Sequence, residues 1–280
     1  EFRVNTYTTS GQRNASVTAD AAGNFVVVWQ SYTQDGSNLG VFGQRYASSG
    51  APLGPEFRVN TYTTNAQYYP AAASDPAGNF VVVWESALQD GSYLGVFGQR
   101  YASSGAPLGP EFRVNSYTMQ SQFYPVVAAD AAGNFVVAWT SYAQDGSSYG
   151  VFGQRYAASG TPLGPEFRVN SFTPSYQNYP SVAADASGNF VIAWESNVQD
   201  GASYGVFAQR YAASGAPLGA EFRVNTTTTD AQFAPAVAAD DAGDFVVVWT
   251  SEGQDGWYSG IFGQRFAPIV PVELIHFNVE

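Results

Sequence analysis

The stretch QDGSYLGVFGQR occupies residues 89–100, and close copies stand at 34–45, 144–155, 199–210 and 254–265. Each copy begins 55 residues after the one before it, with no insertion or deletion between them. Self-similarity at a fixed period is the signature of a repeat architecture, so the unit around one copy decides the fold. In the second unit, YYPAAASDPAG (68–78) leads into NFVVVWES (79–86), then ALQDGSYLGVFGQRYASSG (87–105), then APLGPEFRVNSYT (106–118). Short β-rich runs alternate with Gly, Pro, Asn and Asp clusters, which reads as strands joined by turns. No segment carries a sustained helical period.

The four runs differ in character. The first, PAAAS (70–74), is made of small residues. The second, FVVVW (80–84), is apolar on both faces, as expected of a strand covered on both sides. The third, GVFGQRY (95–101), and the fourth, EFRVN (111–115), become progressively more polar. That gradient fits a sheet set radially, with small residues at a crowded axis and the last strand in water. Units of four strands around an axis make a β-propeller, typically of about 4–8 blades. The expected fold is therefore all-β: a five-bladed β-propeller with four antiparallel strands per blade, filling residues 1–267 as one domain, with 268–280 as a C-terminal tail. The chain opens with EFRVNTYT (1–8), a fourth-strand sequence, and the last unit has only three. Residues 1–8 are thus expected to supply the outer strand of the last blade and close the ring, with 271–278 as the other segment able to take that place.

Composition narrows the function classes. The net charge is −12, and all eleven basic residues are Arg. Without clustered positive charge, neither a nucleic acid nor an anionic membrane surface is an expected partner. No run of 18 apolar residues exists, so membrane insertion is not expected. There is no Cys, and the single His is His276. Disulfides, thiolate chemistry and His-based catalysis within the repeats are excluded. No initiator Met or signal peptide precedes Glu1, so a mature product or a piece of a longer chain is expected, and the composition points to export.

Two acidic positions recur in every unit. Asp20, Asp75, Asp130, Asp185 and Asp240 open DxxG[ND]F, which reads as a hairpin turn capped by the carboxylate. Asp35, Asp90, Asp145, Asp200 and Asp255 lie in the QDG loops, where a turn-bonding role competes with a calcium loop. The DxxG pattern has Ala or Ser at its third position, where calcium loops carry Asp or Asn, and no metal or cofactor is expected. The tryptophans at 29, 84, 139, 194 and 249 end the second strand and read as packing between blades.

Function is expected where the units differ. The connections before the first strand and around QDG vary between copies, whereas those at the opposite end barely change. Loops on a rigid frame are the usual place for binding. The candidate binding residues there are Gln67, Tyr69, Asp90 and Tyr93; Gln122, Tyr124, Asp145 and Tyr149; Gln177, Tyr179, Asp200 and Tyr204; and Gln232, Asp255 and Trp257.

Over residues 1–267 the chain resembles bacterial extracellular β-propeller repeats carrying FRVN, GNFVVVW and FGQRY. The resemblance implies a five-bladed architecture like that of tachylectin-2-type lectins or arabinanase-like glycosidases. Neither family's own motif is present, so no functional residue carries over. The segment PVELIHFNVE (271–280) is similar to stretches preceding sorting domains in secreted bacterial proteins, implying an extracellular or cell-surface location. Three readings follow. The first is a secreted, non-enzymatic binding or adhesion module, lectin-like, with repeated weak sites for glycans or cell-surface polymers. The second is a structural subunit that self-associates through its terminal strands. The third is a glycosidase, which requires two carboxylates about 5–9.5 Å apart in different environments. The non-repeating acids Glu85, Glu195, Asp230, Asp241 and Glu252 show no convergence in the sequence.

Overall fold

The computed structural model describes residues 1–201 and 203–268. The strands fall on the runs read above, the first starting earlier than its small-residue run and the fourth reduced to two residues. Blade 1 consists of β1 (Gln12–Ala19), β2 (Phe25–Tyr32), β3 (Leu39–Tyr46) and β4 (Phe57–Arg58). Blade 2 is β5 (Gln67–Ser74), β6 (Phe80–Ala87), β7 (Leu94–Tyr101) and β8 (Phe112–Arg113). Blade 3 is β9 (Gln122–Ala129), β10 (Phe135–Tyr142), β11 (Tyr149–Tyr156) and β12 (Phe167–Arg168). Blade 4 is β13 (Gln177–Ala184), β14 (Phe190–Asn197), β15 (Tyr204–Tyr211) and β16 (Phe222–Arg223). Blade 5 is β17 (Gln232–Ala239), β18 (Phe245–Glu252) and β19 (Ser259–Phe266). Within each blade, strands adjacent in sequence pair antiparallel. The inner strands pack side by side, β1 on β5, β5 on β9, β9 on β13 and β13 on β17. The fold is a β-propeller of five blades.

No blade has a core of its own. The alternation of side chains along a strand gives each sheet two apolar faces. Val26, Val28 and Val41 on one face of blade 1 pack with Val59 against Phe80, Val82, Trp84, Phe97 and Tyr101 on the facing side of blade 2. The same positions meet between blades 2 and 3, 3 and 4, and 4 and 5. Trp84, Trp139 and Trp194 are fully buried in these layers, which is the packing role read for the tryptophans. Phe80 and Tyr101 stack at 4.8 Å across β6 and β7, and Phe57 of the preceding blade tilts onto Tyr101 at 5.4 Å. Gly98 allows the outermost strand to approach: a Cβ there would stand 2.8 Å from the Phe112 ring.

The ring closure expected of residues 1–8 is not formed. Among the described residues the fifth sheet has three strands, and β17 makes no contact with β1 comparable to the other inner-strand pairs. Residues 1–8 lie instead against blade 1, held by the contacts that a fourth strand always makes with the following blade. The Tyr46 hydroxyl donates to the Val4 carbonyl at 3.0 Å, as Tyr101 donates to Val59 at 3.3 Å. Glu56 accepts from the Thr6 amide at 2.6 Å, as Glu111 does from Thr61. The physical reason is that these contacts tie the segment to the blade after it; its own ladder partner would be a blade before it, and blade 5 does not stand there. The alternative outer strand, 271–278, and the tail beyond Pro268 lie outside the described residues.

Because each inter-blade layer is shared, removing one tryptophan opens a cavity between two blades. Trp139→Ala is expected to lower unfolding stability by about 3–5 kcal/mol in denaturant titration.

Candidate functional site

The end of the propeller that carries the variable loops is built by the starts of the inner strands. β5 begins at Gln67, three residues before the small-residue run read as the first strand, so Gln67, Tyr68 and Tyr69 are strand residues rather than loop residues. The pairing of β5 with β6 slips between Tyr68 and Ala71, a β-bulge at Tyr69 and Pro70. Tyr69 sits there at a φ of 49°, in the left-handed region. Tyr124, Tyr179, Asn14 and Ala234 hold the same position at φ 54°, 49°, 54° and 51°. A bulge re-aims the side chain it contains. Here it turns one residue per blade outward at the inner rim.

Three of those residues are tyrosines, and they meet. The Tyr124 and Tyr179 rings stack with centroids 4.5 Å apart, and the Tyr179 hydroxyl donates to that of Tyr124 at 3.2 Å. Tyr69 meets Tyr124 edge-on at 5.4 Å. The aromatic surface continues outward. Phe123 contacts Tyr124 at 5.0 Å and Tyr149 at 5.4 Å, and Tyr149 contacts Tyr142 and Tyr176, each at 5.3 Å. Tyr69 and Tyr179 are each 44% exposed, so ring faces remain open to solvent. Beside them, the Asn178 side-chain oxygen is buried without a hydrogen-bond partner.

The amide-bearing candidates do not join this surface. Gln67, Gln122, Gln177 and Gln232 are fully buried. Gln67 accepts from Asn60 Nδ2 at 3.1 Å and donates to the Thr64 carbonyl at 3.1 Å, tying the entry of blade 2 to the segment that follows β4. They have no surface to offer a ligand. Asp90 and its counterparts shape their own loops: Asp90 accepts from the Ser92 amide at 3.1 Å and from Asn115 at 3.3 Å, and Asp145 accepts from Ser147 and Asn170. Asp200 accepts from Asn225 at 3.1 Å, and Asp255 from the Trp257 amide at 3.2 Å. The aromatic candidates near QDG fall into three registers. Tyr93 precedes β7 and is exposed, Tyr149 and Tyr204 open β11 and β15 and are partly buried, and Trp257 lies earlier in its loop and is exposed. They are not equivalent members of one repeated site. In the DxxG[ND]F turns, Asp75 accepts from Asn79 N at 2.9 Å and Asn79 Nδ2 at 2.8 Å, as the turn reading expects.

A position outside the candidate residues organises the inner rim. On the second strand, Gln30, Glu85, Thr140, Glu195 and Thr250 occupy equivalent places. Gln30 Oε1 accepts from the Tyr69 amide at 3.0 Å, Glu85 Oε1 from Tyr124 at 2.7 Å, and Glu195 Oε2 from Ala234 at 2.9 Å. Each reaches across a blade boundary to the next blade's bulge. Thus Glu85 and Glu195, scattered in the sequence, are both drawn to the inner rim. Burial pushes the Glu85 carboxyl up to about 8, against the lowering effect of the Tyr124 amide, and burial raises Glu195 as well. The signal available in the sequence was the alternation of Gln, Glu and Thr at one position of an otherwise constant strand.

The opposite end is concave but occupied by its own polar groups. Clefts lie between successive blades, the one between blades 1 and 2 measuring about 290 Å³. Arg45 crosses that boundary to the Ser104 carbonyl, and Arg155 crosses the next-but-one to the Ser214 and Ala213 carbonyls. Among the described residues no cluster of His, Cys, Asp or Glu is able to hold a metal ion.

The fold has relatives among solved structures. The chain is similar to an α-L-arabinanase from Penicillium chrysogenum, solved with arabinobiose, at 13% identity and a TM-score of 0.61, over 92% of this chain and 79% of that one. It is similar to the Hadza microbial sialidase Hz136 at 11% identity and a TM-score of 0.58, over 90% and 56%. A thermostable family-43 glycoside hydrolase matches at 11% identity and a TM-score of 0.51, over 94% and 92%. At such identities the likeness is one of fold. No protein-family model matches the chain, and no curated protein matches it either.

Two expectations follow. A carboxyl raised in the folded state keeps a proton that the unfolded chain has lost, so Glu85 makes stability fall as pH rises from about 4.5 to about 8. Glu85→Gln keeps the acceptor for the Tyr124 amide, as Gln30 does for Tyr69. It is expected to flatten that decline in melts at pH 5 and pH 8, gaining a few kcal/mol at the higher pH, because each pH step of one between the unfolded and folded values costs about 1.4 kcal/mol. Because the turn carboxylates are matched to amides of their own loops, EDTA is expected to leave the melting temperature unchanged.

Proposed function

We propose that this chain is a non-enzymatic binding module for neutral glycans, acting through the tyrosine surface at the inner rim. The observation that carries the reading is the cluster of Tyr69, Tyr124 and Tyr179, with Tyr69 and Tyr179 exposed and all three set on a bulge in successive blades. A sugar ring presents an apolar C–H face, which an aromatic ring covers well, and hydroxyls, which need acceptors and donors at the rim. The Tyr124 and Tyr179 hydroxyls, bonded to one another at 3.2 Å, supply such groups there. A net charge of −12 favours neutral over acidic polymers. The solved neighbours named for arabinose and sialic acid chemistry support a carbohydrate ligand by analogy of fold.

Binding rather than hydrolysis is favoured by the state of the two rim carboxylates. Glu85 and Glu195 are buried, and each is committed to a backbone amide of the next blade. The site is a single asymmetric platform rather than five equal ones, because Asn14 and Ala234 replace tyrosine in blades 1 and 5. Its bacterial, extracellular setting belongs to the same proposal and rests on the FRVN, GNFVVVW and FGQRY resemblance.

A glycan array followed by calorimetry tests the reading. Tyr124→Ala with Tyr179→Ala is expected to weaken a neutral oligosaccharide by about tenfold or more, as loss of central aromatic contacts does, with the far-ultraviolet spectrum unchanged. Affinity that survives the double change, or an array on which no neutral glycan binds, sinks it.

A further inference from the structure

Four packed interfaces leave the two halves of a fifth unmatched. At one end, blade 5 shows the face that the other blades bury. Val248 is 38% exposed and Ile261 74%, whereas their counterparts Val28 and Val41 are 0% exposed. At the other end, blade 1 shows Val17 at 63%, in the place where Ala72 of blade 2 packs against blade 1. Among the described residues β19 has β18 on one side and no strand on the other. Phe2–Asn5, meanwhile, already holds the contacts of a fourth strand toward the blade that follows it. Phe2 tilts onto Tyr46 at 5.4 Å, the geometry of Phe57 on Tyr101. Asn5 donates to the Tyr7 carbonyl at 2.6 Å and to Gln12 at 3.3 Å, as Asn60 does to Tyr62 and Gln67.

We propose that a second copy of this chain fills the seam, head to tail. Blade 5 of one copy packs on blade 1 of the next, and residues 2–5 of that next copy pair with β19 as the fourth strand of the fifth blade. Addition of a strand to a free edge is a common recognition mode, and main-chain hydrogen bonds supply its register.

Every contact this requires has an internal precedent. Phe42 faces Arg58 and Gly43 faces Phe57 in blade 1; the docked strand places Arg3 opposite Phe262 and Phe2 opposite Gly263. The Val41 amide donates to Asn60 Oδ1 at 2.7 Å, and Ile261 is placed to donate to Asn5 in the same way. Gln34 donates to Glu56, and Gln254 stands in that relation to Glu1. Closure of blade 5 onto its own blade 1 is disfavoured by the same repetition. The four interfaces are built from equivalent residues, and after four of them β17 makes no contact with β1 comparable to those between the other inner strands. The interface is heterologous, so copies add in a chain or a ring.

Sedimentation velocity and light scattering on the full chain, without glycan, test this. Association that grows with concentration is expected. Ile261→Arg and Val17→Glu alter exposed side chains at opposite ends, so each is expected to melt as the parent does yet remain monomeric. Mixed, they are expected to form a one-to-one dimer and nothing larger, since each retains one intact end. The peptide EFRVNTYT is expected to inhibit assembly of the unaltered chain. A monomer at every concentration overturns the proposal, and so does assembly that neither substitution diminishes. Neither result bears on glycan binding at the inner rim, which is read with a separate ligand.

Discussion

Everything in this molecule depends on one contact surface used four times: valines of one blade against the Phe, Trp and Tyr layer of the next. A single four-stranded blade has apolar side chains on both faces and cannot bury either by itself. Stability therefore resides between blades rather than within them, as in other repeat proteins. This explains the strict 55-residue register. A residue inserted into β7 would reverse its alternation and turn Phe97 out of the layer it fills. It also explains why the second strand is apolar throughout, since its odd and even positions belong to two different interfaces.

That constraint made much of the fold legible in the sequence and hid much of the site. The turn Asp of DxxG[ND]F, the buried Trp and the small-residue inner strand each follow from local chemistry that a run of residues displays. The bulge does not. Nothing in QYYP announces that Tyr69 adopts a left-handed backbone, because the bulge arises where β5 must both enter from a loop and align with β6. Without it, Gln67 and Tyr69 read alike as loop residues facing solvent. With it, Gln67 is drawn inside to bond Asn60 and Thr64, and Tyr69 is thrown out. Tyr93 and Tyr149 likewise looked equivalent because both follow QDG closely, yet one precedes its strand and the other opens it. A shift of one residue separates an exposed ring from a partly buried one.

The same constraint determines where variation is tolerated. A side chain in an inter-blade layer must fit a partner surface that recurs around the molecule. Gln30, Glu85 and Glu195 escape this, because each answers to a backbone amide of the next blade, which any acceptor of suitable length satisfies, and Gln30 accepts from Asn14 besides. The bulge residues escape it too, because they point away from the layers. Pairing a variable acceptor with a variable bulge residue gives each boundary at the inner rim its own chemistry without disturbing the frame. The tyrosine cluster of blades 2, 3 and 4 is what that freedom produced here.

Repetition and function thus pull in opposite directions along the radius of each blade. The layers must be alike for the blades to stack, and likeness leaves the first and last blades with complementary faces that nothing inside the described chain satisfies. Under the proposed function the inner rim must be unlike for one platform to bind, and unlikeness is confined to the few positions outside the inter-blade layers. An exposed edge such as β19 is ordinarily a liability, a template for any passing strand. Here the strand best matched to it is one that every copy carries at residues 2–5, already ordered against blade 1 by Tyr46 and Glu56. Pre-ordering lowers the entropy lost on pairing, so in the proposed head-to-tail assembly the repeat would favour its own copies over unrelated chains at the edge that the described residues leave open.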